Sequence, residues 1–286
     1  MLSTQNKQVN GSSEPGVPCQ NEGELVIEWL NREGHLILRT HQKVDADAAF
    51  SAALMMEFRK GLKLDLKPAS FATNEPNVLA VDMLEGSNAV KGLAQGSAFG
   101  LLVEVLSVEN DLIERCFGLW AAQLNLTDSA KQCNDRVVLA DLVRAWHSVN
   151  LSDKTIVNRA RELIRGKLRA ERARLNRQRN SEYVPIISKV ALVVDKRIDR
   201  TTLFKRGAKA IVQESDCGQC IHLSRHVMNT GHDLRELKNS LPASWFIHPQ
   251  GFLAAYGTPK APRDPAESGM PIEALFILVQ NWIGGI

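Results

Sequence analysis

The 286-residue chain has no apolar run approaching the roughly 20 residues a membrane-crossing helix requires, so its reading contains no helical membrane span. Cysteine is scarce: Cys19, Cys116, Cys133, Cys217 and Cys220 are five in all, odd in number and widely scattered. That excludes a disulfide framework and points to a reducing, cytoplasmic setting. Residues 1–22 are polar, with no apolar core of a secretory signal, and read as a disordered tail. Histidine is missing altogether between His41 and His147. No charge excess stands out, since the net charge is only +3 and means little until it is located. What remains is ordinary for a folded chain, 44% hydrophobic and 23% charged, with a length that favours two domains.

What is present begins at His35. Leu36-Ile37-Leu38 is a short apolar run of the kind buried in a parallel sheet. His41, Asp45 and Asp47 follow in the spacing His-x-x-x-Asp-x-Asp, and a segment of helix formers opens at Ala48. Three metal-competent side chains thus sit where a strand hands over to a helix, the edge at which open α/β sheets bind ligands. Imidazole with hard carboxylates suits a divalent ion such as Mn2+ or Mg2+. A helix cap accounts for one of the two aspartates, but not for all three residues.

Further along, a helix is expected over 24–32, strands over 62–72 and 78–81, and helices over 96–106 and 139–149. Asp82 ends the strand at 78–81, as metal ligand or as turn former. Asp128, in Asn125-Leu-Thr-Asp-Ser129, reads as metal ligand or helix N-cap, with Asp135 nearby. Residues 158–180 carry nine Arg or Lys against two Glu, a balance of +7 that leaves −4 for the rest of the chain. Val157, Ile164, Leu168 and Leu175 give that stretch a sparse apolar stripe, the mark of a long basic helix connecting two domains. Its charge suits an anionic partner such as single-stranded nucleic acid. A second α/β domain follows, opening on the strand at 189–194 and closing on an apolar helix over 270–282. Cys217-Gly-Gln-Cys220 has metal-site or redox spacing but no second pair to complete a zinc site, and reads as a turn between strands.

The first motif resembles that of the DHH phosphoesterase superfamily, which includes RecJ-type exonucleases, oligoribonucleases and manganese inorganic pyrophosphatases. The resemblance covers roughly residues 35–260. It implies that His41, Asp45, Asp47, Asp82 and Asp128 are metal ligands, with Asp82 the bridging aspartate of the second motif. The name-giving Asp-His-His motif is absent: after Asp82 the chain reads Met-Leu-Glu-Gly-Ser-Asn-Ala-Val-Lys91-Gly92. Lys91 is then the candidate that supplies positive charge there. In the second domain Arg225 resembles a phosphate-gripping arginine at a strand end. Trp245-Phe-Ile-His248-Pro-Gln-Gly251 resembles a Gly-Gly-Gly-His motif whose glycines are replaced by Trp245, Phe246 and Ile247, with two residues inserted before the alanines. His248 and Gly251 become candidate substrate contacts, with Arg225.

The implied architecture is α/β: a tail over 1–22, a parallel-sheet DHH-like metal domain over 23–153, a basic linker helix over 154–184 and a smaller DHH-associated substrate domain over 185–286. The implied activity is hydrolysis of a small phosphorylated or nucleotide substrate with Mn2+ or Mg2+, in a cleft between the lobes, with Asp47, Lys91 and His248 in catalytic roles. The alternative is a catalytically impaired nucleotide- or nucleic-acid-binding protein that keeps part of the metal site.

Overall fold

The computed structural model describes residues 21–129, 138–259, 261–263 and 269–286. The expected tail up to residue 20, Cys19, Cys133, Asp135 and Lys260 lie outside the described residues. The chain divides into two compact units, one running to Glu171 and the other from Arg172.

The first unit is built on four parallel strands in the order β2-β1-β3-β4: β1 Ile37–His41, β2 Lys63–Lys67, β3 Val78–Val81 and β4 Ala89–Val90. Its helices are α1 Glu22–Asn31, α2 Ala46–Phe58, α3 Ala98–Ser107, α4 Asp111–Asp128, α5 Val138–Ser148 and the first part of α6 Asp153–Glu182, which runs past the division at Glu171. β1 continues through α2 to β2 on one side, and β3 pairs on the other side. The carboxyl ends of β1 and β3 therefore flank a topological switch point, where crevices form in such sheets.

Helix α2 shows why this region is the core. Every residue from Ala46 to Met55 is buried, because alanines at five of those ten positions let neighbours approach on all sides. Phe50 meets Phe99 and Trp120 edge-on, with ring centroids 6.3 and 5.6 Å apart. Beneath the sheet edge, Arg39 is buried at 5% exposure and is neutralised by Asp65 at 2.8 Å and Glu75 at 3.1 Å.

Three local readings are corrected. The strand expected over 62–72 is confined to Lys63–Lys67, because Pro68 brings no N–H to the ladder. The helix expected from Gly96 opens at Ala98, since Gly96 has φ +103° and Ser97 is the N-cap. Asp128 caps no helix start; it is the last residue of α4.

The second unit carries a mixed six-stranded sheet in the order β5-β6-β7-β8-β10-β9. Its strands are β5 Ile186–Ile187, β6 Val190–Val194, β7 Ala210–Ser215, β8 Gly218–Leu223, β9 Phe246–Ile247 and β10 Leu253–Tyr256, with β6 and β7 the one parallel pair. The strand period of two sorts the side chains. Val190, Ala210 and Val212 face one cluster with α9 (Ile272–Gly284), while Ala191, Val193 and Ile211 face another with α7 (Arg200–Lys205). A short α8 (Arg225–Met228) and a 3-10 turn (Leu234–Leu237) complete the unit. Cys217 lies in the hairpin turn between β7 and β8 and Cys220 inside β8, both as free thiols.

Candidate metal centre

Four segments converge at the carboxyl edge of the first sheet. Arg39 of β1 pairs with Ala80 of β3, and two residues further along each strand stand His41 and Asp82. His41 Nε2 lies 3.1 Å from Asp82 Oδ2 and 3.9 Å from Asp45 Oδ2. His41 Nδ1 lies 2.9 Å from the Gln42 carbonyl. A carbonyl and a carboxylate accept only, so Nδ1 donates to Gln42 and Nε2 to Asp82; loss of the Nε2 proton leaves a lone pair facing the aspartates. A metal-ligating imidazole is held in the same way. The donor atoms of His41, Asp45 and Asp82 lie within 4.8 Å of one another, a set that could hold a divalent cation.

The loop that presents them is tightly determined. Asp45 caps α2 through the Ala48 N–H at 2.9 Å while its other oxygen faces His41. The Asp153 carboxylate accepts the N–H groups of Lys43 and Val44 at 2.9 and 3.1 Å, and His147 Nε2 donates to the Val44 carbonyl at 2.8 Å. Lys43 and Asp82 both have φ +55°, a conformation that costs a non-glycine residue energy and collects at functional sites.

Asp47 is placed differently. It is 3% exposed, and its two oxygens accept the N–H groups of Ala98 and Phe99, each at 2.8 Å. It therefore closes the N-terminus of α3. Burial, and then the charge of Asp82, push its carboxyl well above the usual range; the two N–H groups pull it back.

Lys91 follows β4 and reaches into the same group. Its ammonium is bonded to Asp82 Oδ1 and stands 3.3 Å from Asp128 Oδ2. Burial pulls its pKa down, but the hydrogen bond and charge of Asp82, joined by Asp128, more than reverse this and raise it. Asp82 is thus shared, one oxygen to His41 and one to Lys91. Its contact with His41 raises the His41 pKa to about 9, against the opposing effect of burial. Asp47, Asp82 and Asp128 also bring oxygens within 4.8 Å of one another, but two of the three contact the lysine.

The sequence reading missed the residues that fix this geometry. Glu22, which opens α1 rather than ending a tail, accepts the N–H of Lys91 at 2.7 Å and that of Gly92 at 3.1 Å. Ser97 donates to the Asn125 side chain, and a Cβ at Gly100 would collide with that same side chain. Small residues at the start of α3 thus let the end of α4, with Asp128, come close. No local pattern marks Glu22 or Asn125; only the pairing of distant elements does.

In the second unit, Arg225 is the first residue of α8 and lines a cavity of about 1100 Å³ with Arg200, Lys205, Lys209, His222 and Phe252. Among the described residues, that lining includes no carboxylate. Arg200 donates to His222 at 2.8 Å, and burial, followed by that cation, lowers the His222 pKa to about 4. His248 and Gly251 are not in this lining. His248 Nδ1 accepts the Gln250 N–H at 3.2 Å, and its ring packs 4.2 Å from Phe252. Gly251 has φ +70°, and a Cβ there would strike Asp233.

No family model matches the chain, and no curated protein does. Among solved structures it is similar to RecJ from Thermus thermophilus in complex with Mg2+, at 12% identity and TM-score 0.26, over 93% of this chain and 52% of that one. It is similar to the pGpG-specific phosphodiesterase PggH from Vibrio cholerae, at 12% identity and TM-score 0.26, over 88% and 98%. It is also similar to an exopolyphosphatase-related protein from Bacteroides fragilis, at 8% identity and TM-score 0.26, over 92% and 96%. The chain spans about half the length of that RecJ. At such TM-scores these likenesses carry no argument; the residues and their geometry carry the functional reading.

Proposed function

We propose that the chain is a metal-dependent phosphoesterase acting on a small phosphorylated or nucleotide substrate. One observation carries the reading: His41 Nε2, Asp45 and Asp82 converge at the switch point between β1 and β3, with Nδ1 of His41 already held by a carbonyl. Those three residues would hold Mn2+ or Mg2+. When bound, such a cation supplies Lewis acidity towards a phosphate ester and towards water near neutral pH.

The chain's own groups have separate tasks. Gln42 fixes the His41 tautomer, and Asp82 sets the charge at His41 and at Lys91. Lys91 keeps a positive charge between Asp82 and Asp128. Asp47 orients the start of α3 through Ala98 and Phe99, and serves as a further ligand only through lone pairs those N–H groups leave free. Arg225, in a cavity rich in cations, is a candidate fork for a phosphate group. His248 and Gly251 stay proposals as substrate contacts, resting on the motif alone.

Phosphate release from short oligonucleotides, dinucleotides and aryl phosphates with Mn2+ tests the reading. Wild-type turnover should fall to background in Asp45→Ala; turnover that survives in the variant would come from a contaminant. The second reading, a nucleotide binder without turnover, draws on Lys91, which stands among the carboxylates where the family motif would bring histidines. Substrate binding with no release in either protein would decide for it.

A further inference from the structure

The two groups of candidate ligands share Asp82 yet are not equivalent. In the first, Oδ2 of Asp45 and Oδ2 of Asp82 both face the His41 imidazole, itself a metal-competent group. In the second, Asp47, Asp82 and Asp128 surround a cation: the Lys91 ammonium touches Asp82 Oδ1 and Asp128 Oδ2. Three carboxylates whose oxygens lie within 4.8 Å repel one another strongly unless a cation stands among them. An ammonium is a compact point charge with three donors, suited to bridging two carboxylates. Asp47, meanwhile, has both oxygens committed to backbone N–H groups at 2.8 Å. A second divalent ion would have to displace the lysine and share the oxygens of Asp47.

The lysine is held there by the backbone and not by chance of rotamer. Glu22 accepts its N–H and the next one. Gly92 has φ +69°, and a Cβ there would collide with the Ser97 carbonyl, so the chain turns at a point only glycine fits. That turn aims residue 91 at the gap between β3 and the end of α4.

We propose that Lys91 is a built-in cation that takes the place of a second divalent ion, so that the centre accepts one metal, at His41, Asp45 and Asp82, and not two. The inference rests on the reading of that trio as a metal site. It makes the ammonium a fixed, non-exchangeable charge between Asp82 and Asp128.

The test is the number of Mn2+ ions bound per full-length chain, measured by calorimetric titration and by elemental analysis after gel filtration. Wild type should bind one. Lys91→Ala, and Lys91→Met, which keeps the bulk of the side chain should the smaller residue fail to fold, should bind two. Asp128→Asn should still bind one, because Asp128 serves the lysine and not the ion. Two ions in wild type overturn the inference and leave the phosphoesterase reading standing. One ion in both Lys91 variants also overturns it, since the ammonium would then not be what excludes the second. Loss of the single ion in Asp128→Asn places that ion in the other group and overturns it as well. No ion in wild type overturns the metal reading itself, and this inference with it.

Discussion

His41 and Asp82 stand 41 residues apart in sequence and 3.1 Å apart in space, and that contact sets where His41 titrates. In the metal-free protein the His41 pKa is raised from 6.5 to about 9. The folded state holds the proton more tightly than the unfolded chain, so the contribution is complete below pH 6.5 and is lost as pH rises through 9. A rise of that size corresponds to about 3 kcal/mol at most. Melting in EDTA should show stability falling between about pH 6.5 and 9.5, and His41→Gln should flatten that fall; an unchanged slope in the variant would rule out His41 as its source. Mn2+ must displace the same proton, so its affinity should climb over this range. At this scale the first motif was open to reading, because His-x-x-x-Asp-x-Asp is local. The tie between Lys91 and Asp128 was not, for nothing in the sequence relates a residue after β4 to the end of a helix 37 positions on.

Among elements, α3 and α6 show how position decides what a charge does. The N-terminus of α3 presents the Ala98 and Phe99 N–H groups in a buried setting, and Asp47 satisfies both. Asp47→Ala leaves two buried donors unmet, at about 1–3 kcal/mol each, whereas Asp47→Asn keeps one acceptor. Urea midpoints should therefore fall in the order wild type, Asn, Ala; equal midpoints would show that Asp47 does not hold α3. In α6, Arg161 and Arg165 are spent on Glu57 at 3.2 and 2.9 Å, and Lys167 lies 4.4 Å over the Trp120 ring. Arg169, Arg172 and Arg179 are exposed. If α6 binds a long single-stranded DNA, neutralising these three should weaken binding and lower its salt slope by about two. Arg165→Ala should cost stability instead. Binding indifferent to both salt and the three substitutions would end the nucleic-acid reading of α6. The periodicity of Ile164 and Leu168 announced a helix; Glu57, on α2, determined which of its cations are engaged.

Across the molecule, metal should act as a stabilising ligand. Mn2+ at about 100 times its dissociation constant adds about 2.7 kcal/mol to a fold that binds it. The melting temperature should rise on adding Mn2+ and drop back with EDTA, and Asp82→Ala should abolish the rise; a rise that persists in the variant would place the ion elsewhere. Among the described residues, no helix is long and apolar enough to cross a membrane. By itself the sequence determined the α/β class, a buried strand at the run Leu36-Ile37-Leu38, which the structure places over Ile37–His41, the buried strand Val78–Val81, and the placing of His41, Asp45 and Asp47 at a strand-to-helix junction. Those depend on short-range periodicity and on residues within a few positions of each other. Only the tertiary structure decided which carboxylate oxygens face His41 and which face Lys91. That depends on the register of parallel strands and on the close approach of α3 and α4, distances that no stretch of neighbouring residues encodes.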